Sequence, residues 1–331
     1  MNFVLSEMSF LKYFMPLIIE GNKRNIKSHF YIFEHNKYTS PFKQKNILYL
    51  KDLCATHNVD IHTIKELNNS NDITFFVEGS GLEYANEIQK KISLIYGTDF
   101  VSLYDRYINK VDNVIFPSRF FAEHYNKISD KNLYLGCPKF DIVLNQLEIL
   151  KKYSIPDIHN VLILFPRLRD ANVVNLYHMS KLLSCLNLRK LVKTRGKDPI
   201  NKQTCSSDVL RKELCGNLYF EDESWYPHTT LELMAISKLV INFDSAAIKE
   251  CIYMLTPLIN FHVKDRRVMD FLYRYSFCKE IDVSKPIDGD SFLKDVCNMS
   301  NSNHTSEFNL AMNNHLMSTA NICKNILDVV L

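Results

Sequence analysis

Residues 230–261 read TLELMAISKLVINFDSAAIKECIYMLTPLINF, and their pattern decides the fold. A helical stretch gives way to the apolar run KLVINF (238–243), then to Asp244, Ser245, Ala246 and Ala247, then to a second helical stretch and the run PLINF (257–261). A short apolar run bounded by turn residues reads as a strand buried on both faces, and two such strands joined by a helix make a parallel βαβ unit. Small residues after a strand let backbone approach a ligand, and the N–H groups of a helix start attract anions. The segment therefore predicts an α/β sheet whose strand ends can hold a phosphate.

Outward from this segment the same alternation continues. Strands are expected at 161–165 (VLILF), 190–194 (KLVKT) and 217–220 (NLYF), with helices over 173–187, 229–236, 246–254 and 265–274. Upstream, strands are expected at Asn2–Leu5, Phe30–Phe33, Val59–Ile64, Ile73–Val77, Asn113–Phe116 and Asn132–Leu135, with helices over 9–22, 82–95 and 119–126. Between the two sets, LNQLEILKKYSIPDIHN (144–160) carries charge and a proline but no strand pattern, which puts a boundary near Lys151–His159. The expected architecture is α/β, with two Rossmann-like domains, 1–150 and 151–305, and a cleft between them. A polar loop is expected at Asn298–Thr305, and residues 306–331 as a terminal helix crossing the junction.

Composition narrows the function. The chain has 331 residues, 46% hydrophobic and 23% charged, which suits two folded domains. A net charge of +3, with basic residues dispersed along the chain, excludes a nucleic-acid track. The nine cysteines are odd in number and include no C-x-x-C pair, so neither a disulfide framework nor a zinc knuckle is expected, and a reducing, cytoplasmic setting fits. The N-terminal apolar stretch is broken by Glu7 and Lys12, and no run reaches the ~18 apolar residues of a membrane span. Membrane contact is expected to be peripheral at most.

In an open parallel sheet the ligand sits beyond the carboxyl ends of the strands, so residues just after each strand carry the information. Arg167 and Arg169 follow the strand at 161–165, and Lys193 and Arg195 lie at the end of the next. Guanidinium and ammonium groups gathered at adjacent strand ends suit a diphosphate; each alone reads equally as a solvated loop charge. His228 and Thr229, after Trp225 and Tyr226, offer either a donor contact or a helix start with Thr229 or Thr230 as cap and a hydrophobic staple. Glu7 and Glu78 follow strands of the first half. Either is placed to act as a general base, and Glu78 reads first as a helix cap.

The stretch LVINFDSAAIKECIYMLTPLINF resembles the donor-site segment of GT-B glycosyltransferases and of their relatives, the hydrolysing UDP-N-acetylglucosamine 2-epimerases. The resemblance makes 1–150 the acceptor domain and 151–305 the donor domain, implies phosphate contact at Ser245 and Ala246 and ribose contact at Glu250, and puts Asp244 among the donor-binding residues. NLYLGCPKFD (132–141) is similar to the element closing the N-terminal domain of Kdo and lipid-A-type sugar transferases and CDP-glycerol glycerophosphotransferases. In it, Gly136 permits a turn, Pro138 stiffens the linker and Asp141 can cap the next helix. Ala246 and Ala247 stand where the epimerases carry two glycines, and the epimerase histidine before Glu78 is missing.

Together these readings predict a metal-independent glycosyltransferase that uses a nucleotide sugar, expected to be UDP-linked, as donor substrate, needs no cofactor, and serves a glycan or lipid-linked acceptor in polysaccharide synthesis. The sequence offers no D-x-D element at a suitable strand end. An epimerase or polyol-phosphate transferase on the same fold, and a non-catalytic glycan- or nucleotide-binding protein, are the alternatives.

Overall fold

Both sheets are parallel throughout, and both follow one winding rule. The computed structural model describes residues 1–33, 44–95, 101, 103–164, 181–193, 218–220, 228–245, 247–262, 270–315 and 321–331. The first unit comprises Met1–Val143 with Asn313–Leu331. Its strands are β1 (Asn2–Leu5), β2 (Ser28–Ile32), β3 (Val59–Thr63), β4 (Thr74–Val77), β5 (Lys91–Leu94), β6 (Asn113–Phe116) and β7 (Asn132–Tyr134), in the order β3-β2-β1-β4-β5-β6-β7. The second unit holds the described residues between Leu144 and Met312. Its strands β8 (Asn160–Leu164), β9 (Arg189–Lys193), β10 (Leu218–Phe220), β11 (Leu239–Asn242), β12 (Leu258–His262) and β13 (Cys278–Asp282) run β10-β9-β8-β11-β12-β13.

Each sheet thus starts in its middle, winds to one edge, then resumes on the other side of its first strand. The winding reverses between β1 and β4 in one unit and between β8 and β11 in the other, and such reversals open a crevice at the strands' carboxyl ends. Strands beside the reversal are buried on both faces, which is why they read as unbroken apolar runs. On one face of the first sheet Phe3 stacks on Phe75 (centroids 5.2 Å apart, planes 13° apart) and meets Phe14 of the helix Leu11–Lys23 at 5.2 Å. Val4, Phe76, Phe116 and Tyr107 fill the other face.

Each expected strand has an observed counterpart, and the differences lie elsewhere. The expected helix over 82–95 is a single 3-10 turn, Leu82–Tyr84, followed by β5. Asn86 decides this: its Nδ2 donates to the carbonyls of Asn68 and Ser70 (2.8 and 2.9 Å), while its Oδ1 accepts from the N–H groups of Ile88 and Gln89 (2.9 and 3.0 Å). A side chain that binds nearby backbone this way offers an alternative to helix hydrogen bonds, and KISL is released to pair with β4. The expected polar loop at 298–305 begins instead as the end of the helix Gly289–Asn301. Asp288 caps that helix, and its Phe292, Val296 and Met299 are buried in the core. β13 has no counterpart among the expected strands, and of the helix expected over 265–274 the described part is a 3-10 turn, Asp270–Arg274.

The single terminal helix expected over 306–331 is two helices, Thr305–His315 and Ile322–Val330. The second lies on the first unit: Arg24 donates to Asp328 Oδ1 (2.7 Å) and the Lys324 carbonyl (3.1 Å), and Lys90 Nζ to the Val330 carbonyl (2.6 Å). The compact units divide after Val143, earlier in the chain than residue 150. Among the described residues no helix is long and apolar enough to cross a membrane.

Candidate functional site

The turn after β11 stands at the winding reversal of the second sheet. Strand pairing aligns Lys193 with Leu164, Ile163 with Ile241, and Asn242 with Asn260. The row in which β8, β9 and β11 end therefore carries Lys193, Asn242 and Asn260, all buried. Asp244 adopts a left-handed backbone (φ 47°), unusual for a residue with a side chain. Asn260 holds it there. Asn260 Oδ1 accepts from the Asp244 N–H (3.0 Å) and from Asn242 Nδ2 (2.8 Å), and its Nδ2 donates to Asp244 Oδ1 (2.8 Å) and to the Tyr273 hydroxyl (2.9 Å). All four hydrogen-bonding positions of the Asn260 amide are thus used.

The Asp244 carboxylate, itself fully buried, also accepts from His262 Nδ1 (3.1 Å to Oδ2). Burial pushes the Tyr273 hydroxyl well above its ordinary range, and the nearby Cys278, Glu280 and Asp244 add to this, so it stays protonated. Ser245 follows, half-buried, with its carbonyl accepting from Asn242 Nδ2 (3.2 Å) and its Oγ accepting from the Ala247 N–H (3.4 Å). The helix Ile248–Tyr253 then carries Glu250 and, beside it, Lys249, both buried.

Of the expected donor-side residues, then, the structure brings Asp244 and Ser245 into one turn, with Glu250 on the helix that leaves it, and puts Lys193 in the terminal row. Arg167, Arg169, Arg195 and Ala246 lie outside the described residues, as do Trp225 and Tyr226. Thr229 is the first residue of the helix Thr229–Ala235, which begins without a side-chain cap, so the capping role considered for Thr229 or Thr230 is not the one found. His228 precedes that helix, and its carbonyl accepts from the Glu232 N–H (3.0 Å). Glu232, unremarked in the sequence, is buried and takes Lys152 Nζ (3.0 and 2.8 Å) and the Tyr153 hydroxyl on its carboxylate. This cluster ties the helix Gln146–Lys152 to the helix Thr229–Ala235.

In the first unit the winding reversal is lined by the turns after β1 and β4. Glu78, Gly79 and Gly81 all have left-handed backbones (φ 51°, 67° and 88°). Glu78 is no helix cap: Tyr107 donates its hydroxyl to Glu78 Oε2 (3.0 Å), and the 3-10 turn at Leu82 starts from Gly81 without a side-chain bond. Burial, then the Glu78 charge, drives the Tyr107 hydroxyl far above its ordinary range, so it remains a donor. Glycine at 79 is required sterically, since a Cβ there would lie 2.6 Å from Tyr107 Cβ. Ser80 Oγ meets Ser6 Oγ (2.9 Å) across the reversal, and Glu7 accepts from Ser9 Oγ (3.1 Å).

The linker element differs from expectation in one respect. Asp141 does not cap the next helix; Asn145 does, accepting from the N–H groups of Leu147 and Glu148 (3.0 and 3.4 Å). Asp141 Oδ2 instead accepts from the Cys323 N–H (2.7 Å) at the start of the helix Ile322–Val330. Gly136 (φ 94°) lies against the same helix, where a Cβ would fall 2.9 Å from Ile322 Cγ1, and Pro138 opens the 3-10 turn Pro138–Phe140.

Two doubly wound parallel sheets of this order, one following the other in the chain, define the GT-B type of fold, and the solved structures that match it bear this out across the whole chain. The wall teichoic acid polymerase TagF (H548A) matches at TM-score 0.64 and 15% identity, over 99% of this chain and 87% of its own. The UDP-GlcNAc 2-epimerase of Methanocaldococcus jannaschii, in complex with UDP-GlcNAc and UDP, matches at 0.59 and 13%, over 99% and 98%. The glycotransferase of kitacinnamycin matches at 0.57 and 9%, over 100% and 98%. No protein-family model and no curated protein matches the sequence.

Proposed function

We propose that the chain is a glycosyltransferase that takes its sugar from a nucleotide-sugar donor, with no metal in the transfer step. The turn Asp244–Ser245, fixed at the winding reversal of the second sheet by Asn260, supports this reading most, because that is where such sheets receive a phosphate-bearing ligand. The epimerase matched above holds UDP-GlcNAc and UDP, which favours the same ligand class here. In this reading Ser245 and Ala246 contact the leaving diphosphate, Lys193, Arg167, Arg169 and Arg195 neutralise it, Glu250 takes the ribose, and Asp244, His228 and Thr229 border the donor. Glu78, oriented by Tyr107, is the base that accepts the acceptor's proton, with Glu7 the second candidate.

The test is a thermal-shift screen with UDP-, GDP-, CMP-, CDP- and dTDP-linked sugars, repeated on Ser245→Trp. One nucleotide is expected to stabilise the wild type in proportion to the logarithm of its concentration, and the variant is expected to lose that shift. No shift with any nucleotide overturns the donor reading. Normal turnover of Glu78→Gln removes Glu78 as base, and loss of activity to a chelator, restored by manganese, removes metal independence. A polyol-phosphate transferase is the second reading, favoured by the TagF match at TM-score 0.64, and a preference for CDP-linked polyol over every nucleotide sugar would establish it. Free N-acetylmannosamine and UDP, formed from UDP-N-acetylglucosamine alone, would establish an epimerase.

A further inference from the structure

We propose that His29, Asp60 and His62 form a binding site for a divalent transition-metal cation, zinc above all, on the edge of the first sheet. β3 is the outermost strand and pairs with β2 so that His29 stands opposite Asp60, with His62 two residues further along β3 and therefore on the same face. One donor atom from each of the three lies within 4.8 Å of the other two. His29 Nδ1 is 3.1 Å from His62 Nε2 and 3.5 Å from Asp60 Oδ2. Ligands ~2.0–2.1 Å from a tetrahedral zinc are about 3.3 Å apart, so these separations are those of a coordination shell needing little rearrangement.

The tautomers suit a cation as well. His62 Nδ1 faces Glu66 Oε2 (3.2 Å), and a carboxylate can only accept, so that nitrogen carries the proton and Nε2 presents its lone pair toward His29. A carboxylate behind a ligating histidine is the usual outer support of such sites. Tyr31 stacks on the His62 ring (5.1 Å, 23°) and holds its plane. Two facing ring nitrogens share a single proton; a cation takes its place, and His29 carries that proton on Nε2 instead. All three donors are partly exposed, which leaves room for water to complete the shell. The N-terminal ammonium, which acts electrostatically on His29, opposes a cation here, as does Lys27, whose Nζ sits 2.6 Å from Asp60 Oδ2. The Lys27 side chain is more than half exposed and can swing away. The site is separate from the donor turn, and the proposal does not rest on the glycosyltransferase reading.

The 331-residue chain, freed of any histidine tag, is titrated with Co²⁺ and with Zn²⁺. One equivalent of Co²⁺ is expected to give visible ligand-field absorption that Zn²⁺ abolishes, and Zn²⁺ is expected to raise the melting temperature by about 4 °C or more. His62→Gln and Asp60→Asn are each expected to weaken binding at least tenfold, while Lys27→Met tightens it. No absorption at one equivalent, or equal affinity in the wild type and both ligand variants, overturns the proposal. Should one variant fail to fold, the other, and the metal content of the wild type after dialysis against zinc, still decide it.

Discussion

Replacing Asn260 tests whether a single amide sets the shape of the turn after β11. Asn260→Ala removes four hydrogen bonds in a region where the residue itself is 1% exposed. Asn242 keeps the Ser245 carbonyl and Asp244 keeps His262, so the main loss is the acceptor for the Asp244 N–H, together with the donor to a buried carboxylate. A buried polar group left without its partner costs ~1–3 kcal/mol, and the cavity adds to this, so a loss of about 3–5 kcal/mol is expected. Asn260→Asp keeps both acceptor bonds but turns a carboxyl oxygen toward Asp244 Oδ1 across 2.8 Å. Two carboxylates that close must share a proton, so one native pKa rises above its unfolded value of about 3.9. The native state then binds more protons than the unfolded state, and stability falls as pH rises from about 4 through the raised pKa. Urea unfolding followed by circular dichroism should show a larger deficit for Asn260→Asp at pH 8 than at pH 5.5. An alanine variant within about 0.5 kcal/mol of wild type, or an aspartate variant whose deficit ignores pH, would refute the reasoning.

Gly79→Ala is expected to cost about 2–4 kcal/mol, because it combines a left-handed backbone with a contact 2.6 Å from Tyr107; an unchanged melting temperature would count against that geometry. Asp141→Ala should cost about 1 kcal/mol and speed amide exchange in 322–330 specifically, as expected for a lost helix cap. Burial pushes the Cys54 thiol up to about 12 and raises those of Cys251 and Cys278 too, whereas Cys185 and Cys297 are exposed. A brief treatment of the native protein with a thiol reagent should therefore modify Cys185 and Cys297 and spare the other three, as read by peptide mass mapping.

The fold was legible because its strands are buried on both faces: VLIL and LVIN can be little else between turn residues. Where the signal was lost, a side chain had overridden the local pattern. LEYANEIQKKISLI has helical composition, and the bonds of Asn86 and Gln89 to the carbonyls of Leu67, Asn68 and Ser70, far back in the chain, hold it as a turn and a strand. Asp244 and Ser245 could be singled out because they directly follow a strand. Asn260 could not, since an asparagine inside an apolar run gives no sign of its partners until β12 lies beside β11. The same holds for His29, which joins Asp60 and His62, two residues apart on β3, only through strand pairing. Glu232 looked like any helix carboxylate until Lys152 and Tyr153 were seen to enclose it.

The helix Ile322–Val330, held by Asp141 and Arg24, has a consequence for biosynthesis. A ribosome extends a chain by ~5–20 residues each second, so roughly 10–40 s separate the emergence of Gly136 from that of Ile322, which fits against it. During that interval the segment that forms the second sheet emerges, while the surface of the helix Leu11–Lys23 still awaits its cover. The half that is made first is the half that is finished last.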